Sequence, residues 1–122
     1  MDSNKVADAI LGTLTQERVY RNKPILNPTF PYVVCTLESL NVLEPSTEYY
    51  LNVDICEDPN TSVRAIETIA DSIQDNLDNK VINNNDLNIH IVIENRQYIS
   101  NQDLITHQMI NIRFVCRCYF KN

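Results

Sequence analysis

The chain has 122 residues, 43% of them hydrophobic and 21% charged, with a formal net charge of -6. That size predicts one domain over residues 1–122, with enough interior to fold without disulfides or metal. The acidic balance excludes a general electrostatic attraction to nucleic acid or anionic lipid, and no run of about eighteen apolar residues predicts a membrane span.

Taken in order, residues 3–15 read as a helix, with Val6, Ala7, Ala9, Ile10 and Leu14 at helical spacings. Residues 1–5 lack the charged and then apolar pattern of a secretory signal, so an intracellular chain is expected. Residues 17–22 form a short strand around Val19 and Tyr20. Residues 23–31 carry Pro24, Pro28 and Pro31, which forbid a helix; they predict an extended connection held to the body by Ile25, Leu26 and Phe30.

Residues 32–42 and 48–57 read as two strands of an antiparallel hairpin. In the second, Leu51, Val53 and Ile55 share one face, and Asn52 and Asp54 the other. The cluster Asp58, Pro59, Asn60, Thr61 and Ser62 opens a helix whose stripe is Val63, Ile66, Ile69, Ala70, Ile73 and Leu77, ending near residues 79–80. Residues 83–86 are a turn, and residues 87–94 a strand with Leu87, Ile89, Ile91 and Ile93 on its inner face. Residues 95–106 read as a polar loop carrying Tyr98, Ile99, Leu104 and Ile105. Residues 107–120 are the last strand, with Ile110, Ile112, Phe114, Cys116, Cys118 and Phe120 inward.

The fold class is therefore α+β, in the order α-β-β-β-α-β-β. Its mostly antiparallel sheet of four to five strands has two helices packed on one face. Turns are expected to rest on asparagine, since the chain has sixteen Asn and one Gly.

Residues able to carry chemistry are few. His90 and His107 are the only histidines and sit in no metal-ligand spacing. Cys35, Cys56, Cys116 and Cys118 each lie in an apolar run, the pattern of buried free thiols in a reducing compartment. Asp54, Glu57 and Asp58 read as strand-face and helix-entry carboxylates rather than an acid–base pair. The expectation is a protein that is not an enzyme, with no catalytic, metal or cofactor residues.

Two features point to protein partners. One is the outer sheet face, with Tyr50, Asn52, Asp54, His90, Val92, Arg113, Val115, Arg117 and Tyr119 mixing aromatics and both charge signs. The other is the loop 95–106, whose length marks a functional segment. Against them stand a solvated face with cross-strand ion pairs, and a loop folded back on the core edge.

The order of these segments resembles the minor tail and tail-completion proteins of long-tailed bacteriophages. The likeness rests on the N-terminal helix, the Val19-Tyr20 strand, the proline-rich connection and the strand opening Pro31-Tyr32-Val33-Val34. Residues 50–55, the helix with Val63, Ile66, Ile69, Ile73 and Leu77, and the final strand pair complete it. The resemblance implies a tail terminator: a ring, usually a hexamer, that caps the tail tube and joins it to the head–tail connector. Its partners would be copies of itself, the tail tube protein and the connector protein. It would reside in the virion at the head–tail interface, and in host cytoplasm during assembly. Tyr50, Asp54, Arg113, Arg117, Tyr98, Ile99, Leu104 and Ile105 are then the candidate subunit-interface residues. The alternatives are a head-completion or neck adaptor of the connector, and a small cytoplasmic protein-binding domain.

Overall fold

The computed structural model describes residues 3–43, 46–99 and 107–121. In chain order the elements are α1 (Ser3–Leu11), β1 (Val19–Arg21), β2 (Tyr32–Leu43), β3 (Ser46–Glu57), α2 (Val63–Leu77), β4 (Lys80–Asn83), β5 (Leu87–Ile99) and β6 (Gln108–Phe120). The protein is α+β. The strands form one sheet in the order β1-β2-β3-β6-β5-β4, with β1 parallel to β2 and every other pairing antiparallel.

The sheet thus has six strands, not four or five, and the element order gains β4 after α2. The missed strand, Lys80–Asn83, is too short to show an alternation, and it starts directly after the helix exit. That exit is built by polar groups. The Asp78 N–H donates to the Gln74 carbonyl at 2.8 Å, and Asn79 takes a left-handed φ of 60°. The Asp78 carboxylate then accepts from the Ile93 N–H at 2.9 Å, anchoring the exit to β5.

Helix α1 is shorter than its apolar pattern, ending at Leu11. The Thr13 hydroxyl donates to the Ile10 carbonyl at 2.7 Å, and the Thr13 and Leu14 N–H groups close three-residue turns onto Ile10 and Leu11. Helix α2 begins where Ser62, the N-cap, accepts from the Ala65 N–H at 3.3 Å. Asparagine does make the left-handed turns: Asn22, Asn27 and Asn79 have φ of 71°, 53° and 60°.

One core lies between the helices and one sheet face. Val6 and Ile10 of α1 and Ile66, Ala70, Ile73 and Leu77 of α2 pack with Val33, Leu51, Val53, Ile89, Ile91, Ile112 and Phe114. A smaller cluster forms on the opposite face, where Tyr32, Val34 and Cys56 meet Tyr20, Phe30 and Met109. The proline-rich connection is held by Phe30 alone of its expected anchors, its ring stacked on Tyr32 at 5.6 Å. Ile25 and Leu26 are instead 62% and 90% exposed. No described helix is long and apolar enough to cross a membrane.

Candidate functional site

Alternate residues of a strand point to opposite faces, and both helices take the same face here. The other face is left open except at the corner where Tyr20 and Phe30 pack on Tyr32, Val34 and Cys56. Its side chains line up in rows across β3, β6 and β5: Glu48–Arg117–His90, Tyr50–Val115–Val92, Asn52–Arg113–Asn95, Asp54–Asn111–Gln97 and Cys56–Met109–Ile99. Strand β2 extends these rows with Glu38 beside Tyr50, Thr36 beside Asn52 and Val34 beside Asp54.

Cross-strand contacts order this face. Arg117 Nη2 donates to Glu48 Oε2 at 3.2 Å, and the same carboxylate holds the guanidinium further toward its charged form. Arg113 Nε donates to Asn52 Oδ1 at 3.1 Å, and its guanidinium lies 4.5 Å from the centroid of the Tyr50 ring. Asn111 Nδ2 donates to Asp54 Oδ1 at 2.7 Å. These contacts carry little weight in stability, the Arg117–Glu48 ion pair included, because solvent screens it. Their effect is to fix long side chains in place, so that a partner meets an already ordered surface. A shallow hollow runs between Glu48, His90, Val92, Val115 and Arg117.

Four of the predicted interface residues, Tyr50, Asp54, Arg113 and Arg117, therefore share one surface. Tyr98 and Ile99 do not belong to a loop. They lie in β5, which runs on to Ile99 and pairs with Ile110 and Met109. A bulge between Ile93 and Asn95 reverses the side-chain faces, so Ile99 falls on the open face and Tyr98 on the helix face. Leu104 and Ile105 lie outside the described residues.

The sequence reading missed Glu48, although it continues the two-residue step of Tyr50, Asn52 and Asp54. It also missed Gln108. This buried side chain donates through Nε2 to the Asp58 carbonyl at 2.8 Å and the Thr61 carbonyl at 2.6 Å, while Oε1 accepts from the Tyr98 hydroxyl at 3.1 Å. A single amide thereby ties β6 and β5 to the turn before α2. Glu57 and Asp58 shape that same turn, accepting from the N–H groups of Asp58 and Asn60.

The thiols are inert by environment. Burial pushes the Cys35 thiol up to about 12, with the Asp54 carboxylate adding to the shift. Burial likewise raises Cys56 to about 11 and Cys118 to about 12, and it raises Cys116 with a contribution from Cys118. At pH 8 the folded protein should therefore react with a disulfide reagent at least about a hundredfold more slowly than free cysteine, whose thiol ionises near 8.5. In denaturant all four cysteines should react at the free rate. Fast labelling of the folded chain would show that one thiol is open to solvent. Among the described residues, no group of three or more His, Cys, Asp or Glu converges as a metal set.

No protein-family model and no curated protein matches the sequence. Among solved structures, one designated only by a sequence identifier aligns over 100% of this chain and 99% of that chain, with a TM-score of 0.76 at 13% identity. At that identity the likeness shows a shared fold and nothing of activity or partners.

Proposed function

We propose that this protein is a structural subunit of a phage tail, a tail terminator that closes into a ring on the tail tube and joins it to the head connector. The observation that carries the reading is the open sheet face. Tyr50, Arg113 and Arg117 are of the residue types enriched at protein–protein contacts, and the polar side chains of Asn52 and Glu48 hold the two arginines in place on it. The segment order that resembles tail-completion proteins gives this surface its partners: neighbouring copies, the tube and the connector. The reading assigns the chain no catalytic step.

The test is mass in solution by light scattering over a range of concentrations, with negative-stain images, repeated with purified tail tubes. A ring of several copies, free or on tube ends, is the expected result. Tyr50→Ala and Arg113→Ala should each weaken tube binding about tenfold or more, the loss typical of an aromatic or arginine anchor at an interface. A chain that stays single at every concentration and ignores tail tubes would refute the reading.

A further inference from the structure

The short outer strands β1 and β4 cover only part of the strands next to them, β2 and β5. Strand β1 pairs with Val33, Val34 and Cys35 of β2, leaving the far half of β2 without a neighbour among the described residues. Strand β4 pairs with residues 88–91 of β5, leaving the end of β5 similarly bare. The two bare half-edges lie at diagonally opposite corners of the sheet.

Which backbone groups they present follows from the ladders. Val33 N–H donates to Arg18 O and Cys35 O accepts from Asn22 N–H, so these residues point outward toward β1. The two-residue period then turns the N–H and C=O of Leu37 and Ser39 outward, where no described strand pairs with them. On β5, Leu87 O accepts from Asn84 N–H and Ile93 N–H donates to Asp78, so the odd residues point outward up to the bulge. Beyond it, Arg96 and Tyr98 take the equivalent positions, opposite Ile112 and Ile110 as Ile93 is opposite Phe114. Each bare half-edge thus offers two outward-facing residues spaced two apart.

We infer that successive copies of this chain join edge to edge, the bare half of β2 in one copy pairing antiparallel with the bare half of β5 in the next, in the register Leu37↔Tyr98, Glu38↔Gln97, Ser39↔Arg96. This rests on the ring reading above and names the contact that builds the ring. The register is the one that pairs both outward residues on each side, and it forms four backbone hydrogen bonds by the rule for antiparallel ladders. Strand directions agree, because β2 and β5 run oppositely in the sheet when both copies face the same way.

Within the paired span, residues 37–39 and 96–98, no described strand stands beside either edge. Tyr98 lies level with Val33 through Ile110 and Ile55, so pairing Tyr98 with Leu37 offsets each copy by four residues, about 13 Å. At that offset the β2 tip of one copy comes level with Ile93 and the Asp78 carboxylate bonded to it in the other, so the paired span ends at Ser39, short of β4, whose Lys80 lies level with Ser39 of its own copy. A constant stagger tilts the strands, as closing a sheet into a ring requires. Side chains match as well: the half-exposed Tyr98 ring meets Leu37 on the helix face, beside an apolar crevice between α1 and β2. The two ends of the contact differ, so the contact is head-to-tail and propagates, and every copy keeps its open sheet face on the same side of the ring.

Glu38 and Gln97 are exposed and share the open face, so they serve as reporters that leave the core alone. Glu38→Cys and Gln97→Cys are made singly and together, and incubated with oxidised glutathione. Their paired positions fall within the Cα spacing a disulfide accepts. The double variant should give covalent species larger than two chains. Mixed single variants should give only a species of twice the 14.1 kDa chain mass, and each single variant alone should give none. Ser39→Pro removes an outward donor, and Tyr98→Pro removes another together with the hydroxyl bonded to Gln108, so each should reduce the assembly to single chains while a one-to-one mixture, which keeps one intact pair of edges, recovers a dimer. Dimers from one single variant alone would mean that like edges pair, and would overturn the proposal. So would a ring of normal mass that neither cross-links at these positions nor responds to the prolines, with the ring reading left standing. Native chains that stay single at all concentrations and on tail tubes would sink both.

Discussion

Phe114→Ala lowers the unfolding free energy by about 3–5 kcal/mol, the range for deleting a buried aromatic and leaving a cavity. Phe114 is fully buried and is the largest such side chain in the core. It stands on β6, one of the two central strands, with Leu51 of β3 on one side and Ile93 of β5 on the other. Its cluster includes both helices, so no single element can move inward to fill the space without pulling away from another. A domain of this kind has about 5–15 kcal/mol in total, so the substitution removes a large share of it. Phe114→Leu, which keeps most of the volume, should cost about 1.5 kcal/mol or less. Urea titration of both variants checks this: the midpoint should fall steeply for alanine with the slope unchanged. A loss under about 1 kcal/mol for alanine would mean that the centre of the sheet is loosely packed.

What was readable beforehand divides along physical lines. An unbroken alternation is visible in a sequence, and so β3 and β6 displayed their inner and outer faces before any coordinates: Leu51, Val53, Ile55, Ile112 and Phe114 inside, Tyr50, Asp54, Arg113 and Arg117 outside. The stripe of α2 was equally plain, because its period persists over four turns of helix. The end of β5 was hidden by one extra residue. The bulge at Glu94 reverses the alternation, so in sequence a continuing strand has the pattern of a polar loop, and Tyr98 and Ile99 fall on an arm instead of an edge. The exposure of Ile25 and Leu26 was hidden for a different reason: in a segment without period, an apolar residue carries no sign of which way it faces. The pairing of edges is beyond reach, since it depends on where β1 and β4 stop: β1 is legible only as a strand somewhere in residues 17–22, and the four residues of β4 show no pattern.

The Gln108 amide gives the second large effect. Gln108→Leu fills similar space but takes the amide from the Thr61 carbonyl and the Tyr98 hydroxyl, while the Asp58 carbonyl keeps the Thr61 N–H at 3.0 Å. Each buried polar group left unsatisfied costs about 1–3 kcal/mol. The Tyr98 hydroxyl can reach water, since its residue is exposed, so the expected total is about 1–3 kcal/mol, mostly from the Thr61 carbonyl and read as a fall in the urea midpoint. Gln108→Glu asks a sharper question. Its one retained oxygen can still accept from Tyr98, but the other replaces a donor facing two carbonyl oxygens. An ionised carboxylate is repelled there, whereas a protonated one can donate to a carbonyl. The folded-state pKa of this Glu therefore lies above its unfolded value, which is about 4.3. A raised folded pKa gives stability that is fully present below the unfolded pKa and lost as pH rises through the folded one. Relative to the native chain, the variant should be least impaired near pH 4 and most impaired at pH 7 and above. Melting temperatures of both proteins across that range decide it. A deficit that does not grow with pH would show that the carbonyls of Asp58 and Thr61 turn away from the side chain, and that the turn before α2 does not depend on this clasp.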